Sequence, residues 1–267
     1  MQLHWHTEPL LLISLLACLW LYTLLLGPYR EIWDPGRHVP MKLRMLSFAS
    51  GIVIVYLAVG SPLDQLAEDY PFFLHMIQHM LLVYVIPPLL FLGFPQQLAE
   101  YLLGSESIRK IIRVLVHPVV AGFTFSIVYT LWHIPLLYEL ALRNKPVHIF
   151  EHATMFATAL MMWWPFLSPT ERFLRRSSYG IRILYAFLLM VAQLPVFAFL
   201  SFANVAIYET YVWAPRLIPG LDPLNDQVLG GIIMKVTNMI VSLTLISICF
   251  YKWSAKEYDV ESLAPLN

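Results

Sequence analysis

The feature that most constrains this chain is a series of long apolar runs, separated by short connections rich in proline, glycine and charge. An α-helix needs about 20 mostly apolar residues to cross a bilayer, and lipid cannot satisfy the hydrogen bonds of bare backbone. Only 13% of the 267 residues are charged, about half the share of a typical soluble domain. The sequence therefore predicts an all-α, polytopic integral membrane protein.

Seven of the apolar runs are long enough to be membrane spans, so residues 1–267 are predicted to form a single seven-helix transmembrane domain. No basic residue precedes the first run, and no small-residue cleavage site follows it. We therefore interpret it as a retained span and not as a secretory signal. The predicted spans are residues 9–27, 43–60, 72–94, 115–134, 147–167, 181–203 and 227–251.

The basic residues predict how these spans are oriented. Most of the 17 Lys and Arg residues lie after spans one, three and five and in the C-terminal tail, whereas the loop at 61–71 has none. Cytoplasmic loops carry the excess of basic residues in multi-pass proteins. The N-terminus is therefore predicted outside and the C-terminus in the cytoplasm, with the plasma membrane as the location.

Several function classes find no support in the sequence. The net charge is zero and no basic patch occurs, so nucleic-acid binding is not predicted. No glycine-rich phosphate loop and no Ser/His/Asp arrangement is recognisable. Cys18 and Cys249 lie far apart within apolar runs, which argues against a disulfide framework or a CxxC site.

The histidines are unevenly distributed on this topology. Seven of the nine fall on the predicted outer side, His4 and His6 before span one and the others at span ends. Two pairs have the i, i+4 spacing that stacks both imidazoles on one helix face, about 6 Å apart along the axis. The outer histidines at span ends are His75 and His79 in span three, His133 at the end of span four, and His148 and His152 in span five.

These histidines, with nearby methionines, predict a metal site. Imidazole and thioether ligands suit soft or borderline metals, copper above all, whereas magnesium or calcium would require carboxylates and water. The alternative is packing: a single interfacial histidine is often merely hydrogen-bonded, and most methionines belong to the core. The predicted metal residues are His75, His79, His133, His148, His152, Met76, Met80 and Met155.

Four other polar residues lie in or beside the predicted spans. Asp226 and Gln227 open span seven, where a carboxylate can cap the helix N-terminus or serve as a ligand. Glu151 adjoins His152 but is predicted to point about 100° away from it around the helix. Lys235 lies two turns inside span seven, where it can pair with a carboxylate or reach water.

Four short motifs resemble those of the CtaG family of bacterial cytochrome c oxidase assembly factors, in its seven-span form from Gram-positive bacteria. The resemblance runs from about span two to span seven. One departure is the polar segment at 235–238, where an apolar stretch is expected. The motifs are His75-Met-Ile-Gln-His79-Met80, Trp132-His133-Ile134-Pro135, His148-Ile-Phe-Glu-His152 and Asp226-Gln227-Val-Leu-Gly230-Gly231.

The resemblance implies a non-enzymatic role in maturing a haem–copper oxidase through its copper centres. It implies that the five histidines at span ends are the functional set, with Asp226 and Gln227 as a family signature, and that oxidase subunits are the protein partners. The sequence also allows a homo-oligomer. Three alternatives remain: a membrane haem protein, an intramembrane zinc hydrolase and a scaffold without a cofactor.

Overall fold

The computed structural model describes residues 9–29, 32, 41–170 and 177–262, and these form helices with no strand among them. The predicted all-α fold is confirmed. The helices are α1 (Pro9–Leu26), α2 (Met41–Val59), α3 (Pro62–Asp69), α4 (Phe72–Met80), a π-helical segment (Leu81–Val85), α5 (Ile86–Gly93), α6 (Gln96–Leu102), α7 (Glu106–Leu115), α8 (Pro118–Trp132), α9 (Pro135–Arg143), α10 (Lys145–Leu167), α11 (Tyr179–Ala192), α12 (Leu194–Ser201), α13 (Glu209–Trp213) and α14 (Pro223–Ser262).

Several of these helices are long and apolar enough to cross a bilayer, which makes the chain a multi-pass membrane protein. Within the described residues there are five such stretches. A sixth is counted if α7 and α8, which are bent by 63° relative to each other, form one span. The five are Pro9–Leu26, Lys42–Val59, Phe72–Gly93, Tyr179–Ser201 and Pro223–Lys256.

The predicted fifth span corresponds to α10, which has 23 residues but is not among those candidates. At about 1.5 Å per residue its length suffices to cross the hydrocarbon core. His148, Glu151 and His152 lower its hydropathy, and all three are buried inside the protein. The seven-span count and the orientation therefore stay predictions.

The predicted fourth span, residues 115–134, corresponds to α8, and a sharp bend at its start separates it from α7. Pro118 is the first residue of α8, a position where its missing N–H costs nothing, and α7 precedes it at an angle. On α7 the apolar residues 108, 111, 112 and 115 share one face, and Arg109, Lys110 and Arg113 lie on the other. Such a helix is suited to the membrane interface.

A π-helical segment interrupts the third span, just after the histidine pair. Pro87 has no N–H to give to the carbonyl of Val83, four residues before it. The indole of Trp163 on α10 donates to that carbonyl at 2.8 Å. The Val83 carbonyl, which Pro87 leaves without its helical donor, is thus satisfied by a neighbouring helix, as burial in a membrane requires. The same bond joins the third span to α10.

The helices that carry the histidines are packed at the centre of the protein. The helix α14 packs against α4, α11 and α12, while α10 packs against α8 and the π-helical segment. Buried aromatic and methionine side chains fill the space between them. By contrast, α1 contacts mainly α2 and exposes most of its surface. The central helices therefore hold their polar side chains away from lipid.

Candidate metal centre

Three helix ends bring five histidines together at one side of the bundle. His75 and His79 lie in the first turns of α4, His148 and His152 lie in those of α10, and His133 is the C-cap of α8. All five are buried, with exposures of 0–8%. The structure thus brings three motifs that are separate in the sequence next to one another. We call these five histidines and Glu151 the His–Glu cluster.

Four groups of this cluster approach most closely. One ligand atom from each of His75, His148, Glu151 and His152 lies within 4.8 Å of the other three. Tetrahedral coordination with bonds of about 2.1 Å requires ligand separations of about 3.4 Å. Small side-chain movements would therefore bring the four atoms around one ion. A buried group of imidazoles with one carboxylate is a donor set for a borderline transition metal.

The tautomer of His75 follows from its partners. Tyr211 has one hydroxyl proton, which it donates to the carbonyl of Ala67 at 2.8 Å. The Nδ1 of His75 lies 3.1 Å from that hydroxyl oxygen and is therefore the donor. Its Nε2 then carries a lone pair and faces Nε2 of His79 at 2.8 Å. A metal ligand with its other nitrogen held this way is already oriented for coordination.

His133 is held in the same manner by the backbone. Its Nδ1 lies 2.6 Å from the carbonyl of Tyr129, which only accepts, so Nδ1 carries the proton. Its Nε2 is left with a lone pair, which is buried and has no hydrogen-bond partner among the described residues. The ring centroids of His133 and His79 are 6.1 Å apart. His133 is thus placed at the edge of the cluster.

Two further nitrogens in the cluster are buried without a hydrogen-bond partner among the described residues. They are Nδ1 of His79 and Nε2 of His152. Buried polar atoms in folded proteins are nearly always satisfied, and exceptions often mark a site for a ligand. These nitrogens are therefore candidates for contact with a bound ion or another ligand.

Sequence reasoning missed Glu151, which it predicted to face away from His152. The structure corrects this, because the Glu151 Oε1 atom lies 3.6 Å from Nε2 of His79 and the residue is fully buried. Adjacent residues do diverge by about 100°, but Glu151 also lies three residues after His148 and shares its side of the helix. His79 on α4 lies between the side chains of Glu151 and His152, in contact with both. The i, i+3, i+4 spacing of His148, Glu151 and His152 was the available signal.

A group of tyrosines closes the cluster on one side. Tyr138 donates to the Tyr211 hydroxyl at 3.3 Å, and Tyr208 donates to the carbonyl of His133 at 2.8 Å. Burial raises the pKa of both Tyr138 and Tyr208 well above the usual range for tyrosine. Both hydroxyls therefore stay neutral donors, and the acidic group that the structure places among these histidines is Glu151.

The three predicted methionine ligands are all buried in the hydrophobic core. Met76 packs against α14, since a Cβ atom built on Gly230 would lie 3.0 Å from its Cγ. Met80 and Met155 belong to the same core, and a role for any of the three as a sulfur ligand stays a prediction. Of the other histidines, His117 is exposed, and His4, His6 and His38 lie outside the described residues.

Asp226 holds the helix that carries His75 and His79. Its two carboxylate oxygens accept from the backbone N–H groups of Phe72 at 2.8 Å and Phe73 at 2.9 Å. The residue thus caps the start of α4, and not the N-terminus of its own helix as the sequence suggested. Arg216 lies 3.9 Å from the same carboxylate. Because His75 follows Phe72 by three residues, Asp226 fixes the position of the His75 and His79 pair.

Asp226 belongs to the sequence motif at residues 226–231, and the other polar residue and the two glycines of this motif join α14 to other parts of the chain. Gln227 accepts from the N–H of Ile207 at 2.7 Å and donates to the carbonyl of Leu200 at 2.8 Å. A Cβ on Gly230 would lie 2.5 Å from the Phe72 ring, and one on Gly231 would lie 2.6 Å from the Ser201 hydroxyl. The two glycines therefore permit close helix contact, as small residues do in membranes.

The polar segment that departs from the family pattern is bonded within the protein. The Lys235 ammonium donates to the carbonyl of Met190 near the C-terminal end of α11, at 3.0 Å. Asn238 and Gln193 both donate to the Tyr84 hydroxyl, at 2.8 and 2.7 Å. Lys235 and Asn238 therefore form hydrogen bonds that hold α14 to α11 and to the π-helical segment.

Comparison with known proteins identifies a family that this chain matches. Residues 20–256 match the family model described as cytochrome c oxidase caa3 assembly factor (Caa3_CtaG). No curated protein and no solved structure matches the chain. The matched range includes the His–Glu cluster and the α14 motif.

Proposed function

This chain belongs to the cytochrome c oxidase caa3 assembly factor family, and on that premise we propose that it binds copper at the His–Glu cluster for oxidase maturation. An assembly factor acts on oxidase subunits within the membrane. A haem–copper oxidase needs copper as well as protein subunits. A membrane protein with a buried cluster of metal-ligating side chains is suited to hold that copper before transfer. The role proposed is non-enzymatic.

The observation that carries the proposal is the approach of four ligand atoms, from His75, His148, Glu151 and His152, to within 4.8 Å of one another. Imidazole nitrogen binds copper, zinc, iron and nickel, and divalent copper has the highest affinity in that series. The ring nitrogens fixed by Tyr211 and Tyr129 add to this support, because outer hydrogen bonds orient metal-ligating histidines.

Charge also favours a bound cation. An ionised carboxylate inside a membrane is costly unless a cation accompanies it. Glu151 is fully buried and lies among imidazoles, which are neutral when they act as ligands. One Cu(I) ion would neutralise the carboxylate, and one Cu(II) ion would leave a single positive charge.

The test is copper retention by the purified protein in detergent. We expect near-stoichiometric Cu(I) after anaerobic loading of the wild type, and loss of that copper in the His75→Ala/His152→Ala variant. The His117→Ala variant is the matched control, because His117 is exposed and lies outside the cluster. Equal copper in wild type and double variant would overturn the proposal. A Soret band in the purified wild type would instead indicate the haem alternative.

The position of Glu151 favours a second candidate, an intramembrane zinc hydrolase. His148, Glu151 and His152 have the H-x-x-E-H spacing found in one class of zinc enzymes, and the carboxylate lies beside the histidines as a base requires. Chelator-sensitive hydrolysis of lipid amides or esters by the zinc-loaded protein, lost in Glu151→Gln, would support it. Retention of zinc without any such hydrolysis would count against it.

A further inference from the structure

A cavity of about 270 Å³ lies directly beside the His–Glu cluster. His148 and His152 line one of its sides, and apolar residues of α1 and α2, including Leu11 and Val55, line others. A water molecule occupies about 30 Å³ in the liquid, so this cavity has room for several waters or a hydrated ion. An ion in this cavity would be in reach of two of the proposed ligands.

An ion pair stands at the edge of the cavity. The Lys145 ammonium lies 3.1 Å from the Asp64 carboxylate, and both residues line the cavity. The side chain of Lys145 is 42% exposed, whereas that of Asp64 is 4% exposed. The pair therefore lies between water and the buried histidines.

The Asp64 carboxylate is bonded to both ligand-bearing helices. Its other oxygen accepts from the Gln78 amide at 2.7 Å, and Gln78 lies between His75 and His79 on α4. Lys145 precedes His148 by three residues on α10, which places both on one side of that helix. A cation bound at Asp64 would thus be next to the ligand groups on each helix.

We infer that this cavity is the passage by which the copper ion reaches and leaves the cluster, with Asp64 as the transit ligand. The inference rests on the proposed copper-binding function. The ammonium of a half-exposed lysine is a hydrated point charge on a flexible stem, so it can turn to water. A Cu(I) ion that replaces it at Asp64 exchanges one positive charge for another. The ion then passes to His148 and His152, and the ammonium returns.

The experiment is the rate of Cu(I) loading by stopped flow, with copper presented on a chromophoric chelator to the full chain in detergent. Lys145→Met and Asp64→Asn both break the ion pair, so a purely structural pair predicts the same direction of change in both. A transit ligand predicts opposite directions. We expect loading roughly tenfold faster in Lys145→Met, because a like charge is gone, and roughly tenfold slower in Asp64→Asn. Copper content at saturation stays that of the wild type in both.

The matched control is Lys110→Met, which breaks the exposed Glu106–Lys110 pair on α7 and should load at the wild-type rate. Changes in one direction for both cavity variants, or no change, would overturn the passage while leaving the copper site intact. A wild type that retains no copper overturns the proposed function and the passage with it. If Asp64→Asn fails to fold, Lys145→Met decides alone: faster loading supports the passage, and wild-type or slower loading overturns it.

Discussion

The His–Glu cluster and the start of α14 both bury polar side chains inside the membrane protein, but they bond them differently. Asp226 and Gln227 direct their oxygen and nitrogen atoms at backbone groups of other segments. In the cluster, one ring nitrogen each of His79, His133 and His152 has no hydrogen-bond partner among the described residues. Polar side chains that are hydrogen-bonded to backbone groups hold helices together. Polar side chains that cluster with one another and keep unbonded atoms can instead bind an ion.

The largest effect that this contrast predicts is in Glu151→Gln. The change keeps shape but removes the negative charge, so we expect copper affinity to fall by about 100-fold or more, which is about 2.7 kcal/mol. The melting temperature should stay the same or rise, because a buried carboxylate is costly without its cation. Copper competition titration and thermal melting measure the two effects. Glu106→Gln, at an exposed site on α7, should change neither.

Asp226→Ala should affect stability and copper binding together. The buried N–H of Phe72 and the partly buried N–H of Phe73 would lose their acceptor, at a cost of about 1–3 kcal/mol in the free energy of unfolding. A displaced α4 should also weaken copper binding by roughly tenfold.

Asp222→Ala is the matched control for this aspartate. Asp222 accepts from the N–H groups of Leu224 and Asn225 at the exposed start of α14. Its loss should lower the melting temperature slightly, because one exposed helix cap is gone, and leave copper affinity unchanged. An Asp226→Ala protein with wild-type copper affinity would show that the cap does not position the ligands.

Gly230→Ala tests the structural role of the start of α14 by changing only the packing. The new Cβ would meet the Phe72 ring at 2.5 Å, and that ring is already stacked on Tyr208. We expect a loss of about 1–3 kcal/mol in the free energy of unfolding and weaker copper binding. Gly180→Ala is the control, because its Cβ would find only ordinary contact with Trp253 at 3.7 Å. Equal melting temperatures for the two variants would contradict this packing account.

The smallest effect is expected for Lys235→Met. The variant keeps most of the side-chain length and loses one hydrogen bond to the carbonyl of Met190. The cost should be about 1 kcal/mol or less, with no change in copper binding. Thermal melting and copper titration check both parts, and a loss of copper would place Lys235 in the functional site after all.

Features that depend on residues close together in the sequence could be predicted, whereas features that depend on residues far apart in the sequence could not. The two histidine pairs were predictable because an i, i+4 spacing is local to one helix. The bond from Asp226 to Phe72 joins residues 154 positions apart, so no local pattern contains it. The position of Glu151 depended on how α4 packs against α10, which the sequence alone does not give.

The membrane topology shows a similar division. Long apolar runs predicted the helical fold, whereas the bend before Pro118 and the π-helical segment come from proline and its neighbours in space. The same polar residues that form the candidate site make α10 the least apolar of the predicted spans. The hydropathy of a span is therefore lowest where the proposed functional residues lie.

X-ray absorption at the copper edge, on the Cu(I)-loaded wild type and the His75→Ala/His152→Ala variant, tests the central claim most directly. We predict nitrogen and oxygen neighbours at about 2.0 Å with outer scattering from at least two imidazoles in the wild type, as in other histidine sites. That imidazole signal should disappear in the double variant. Identical spectra from the two proteins, or a wild-type spectrum without imidazole, would contradict a copper site in the His–Glu cluster.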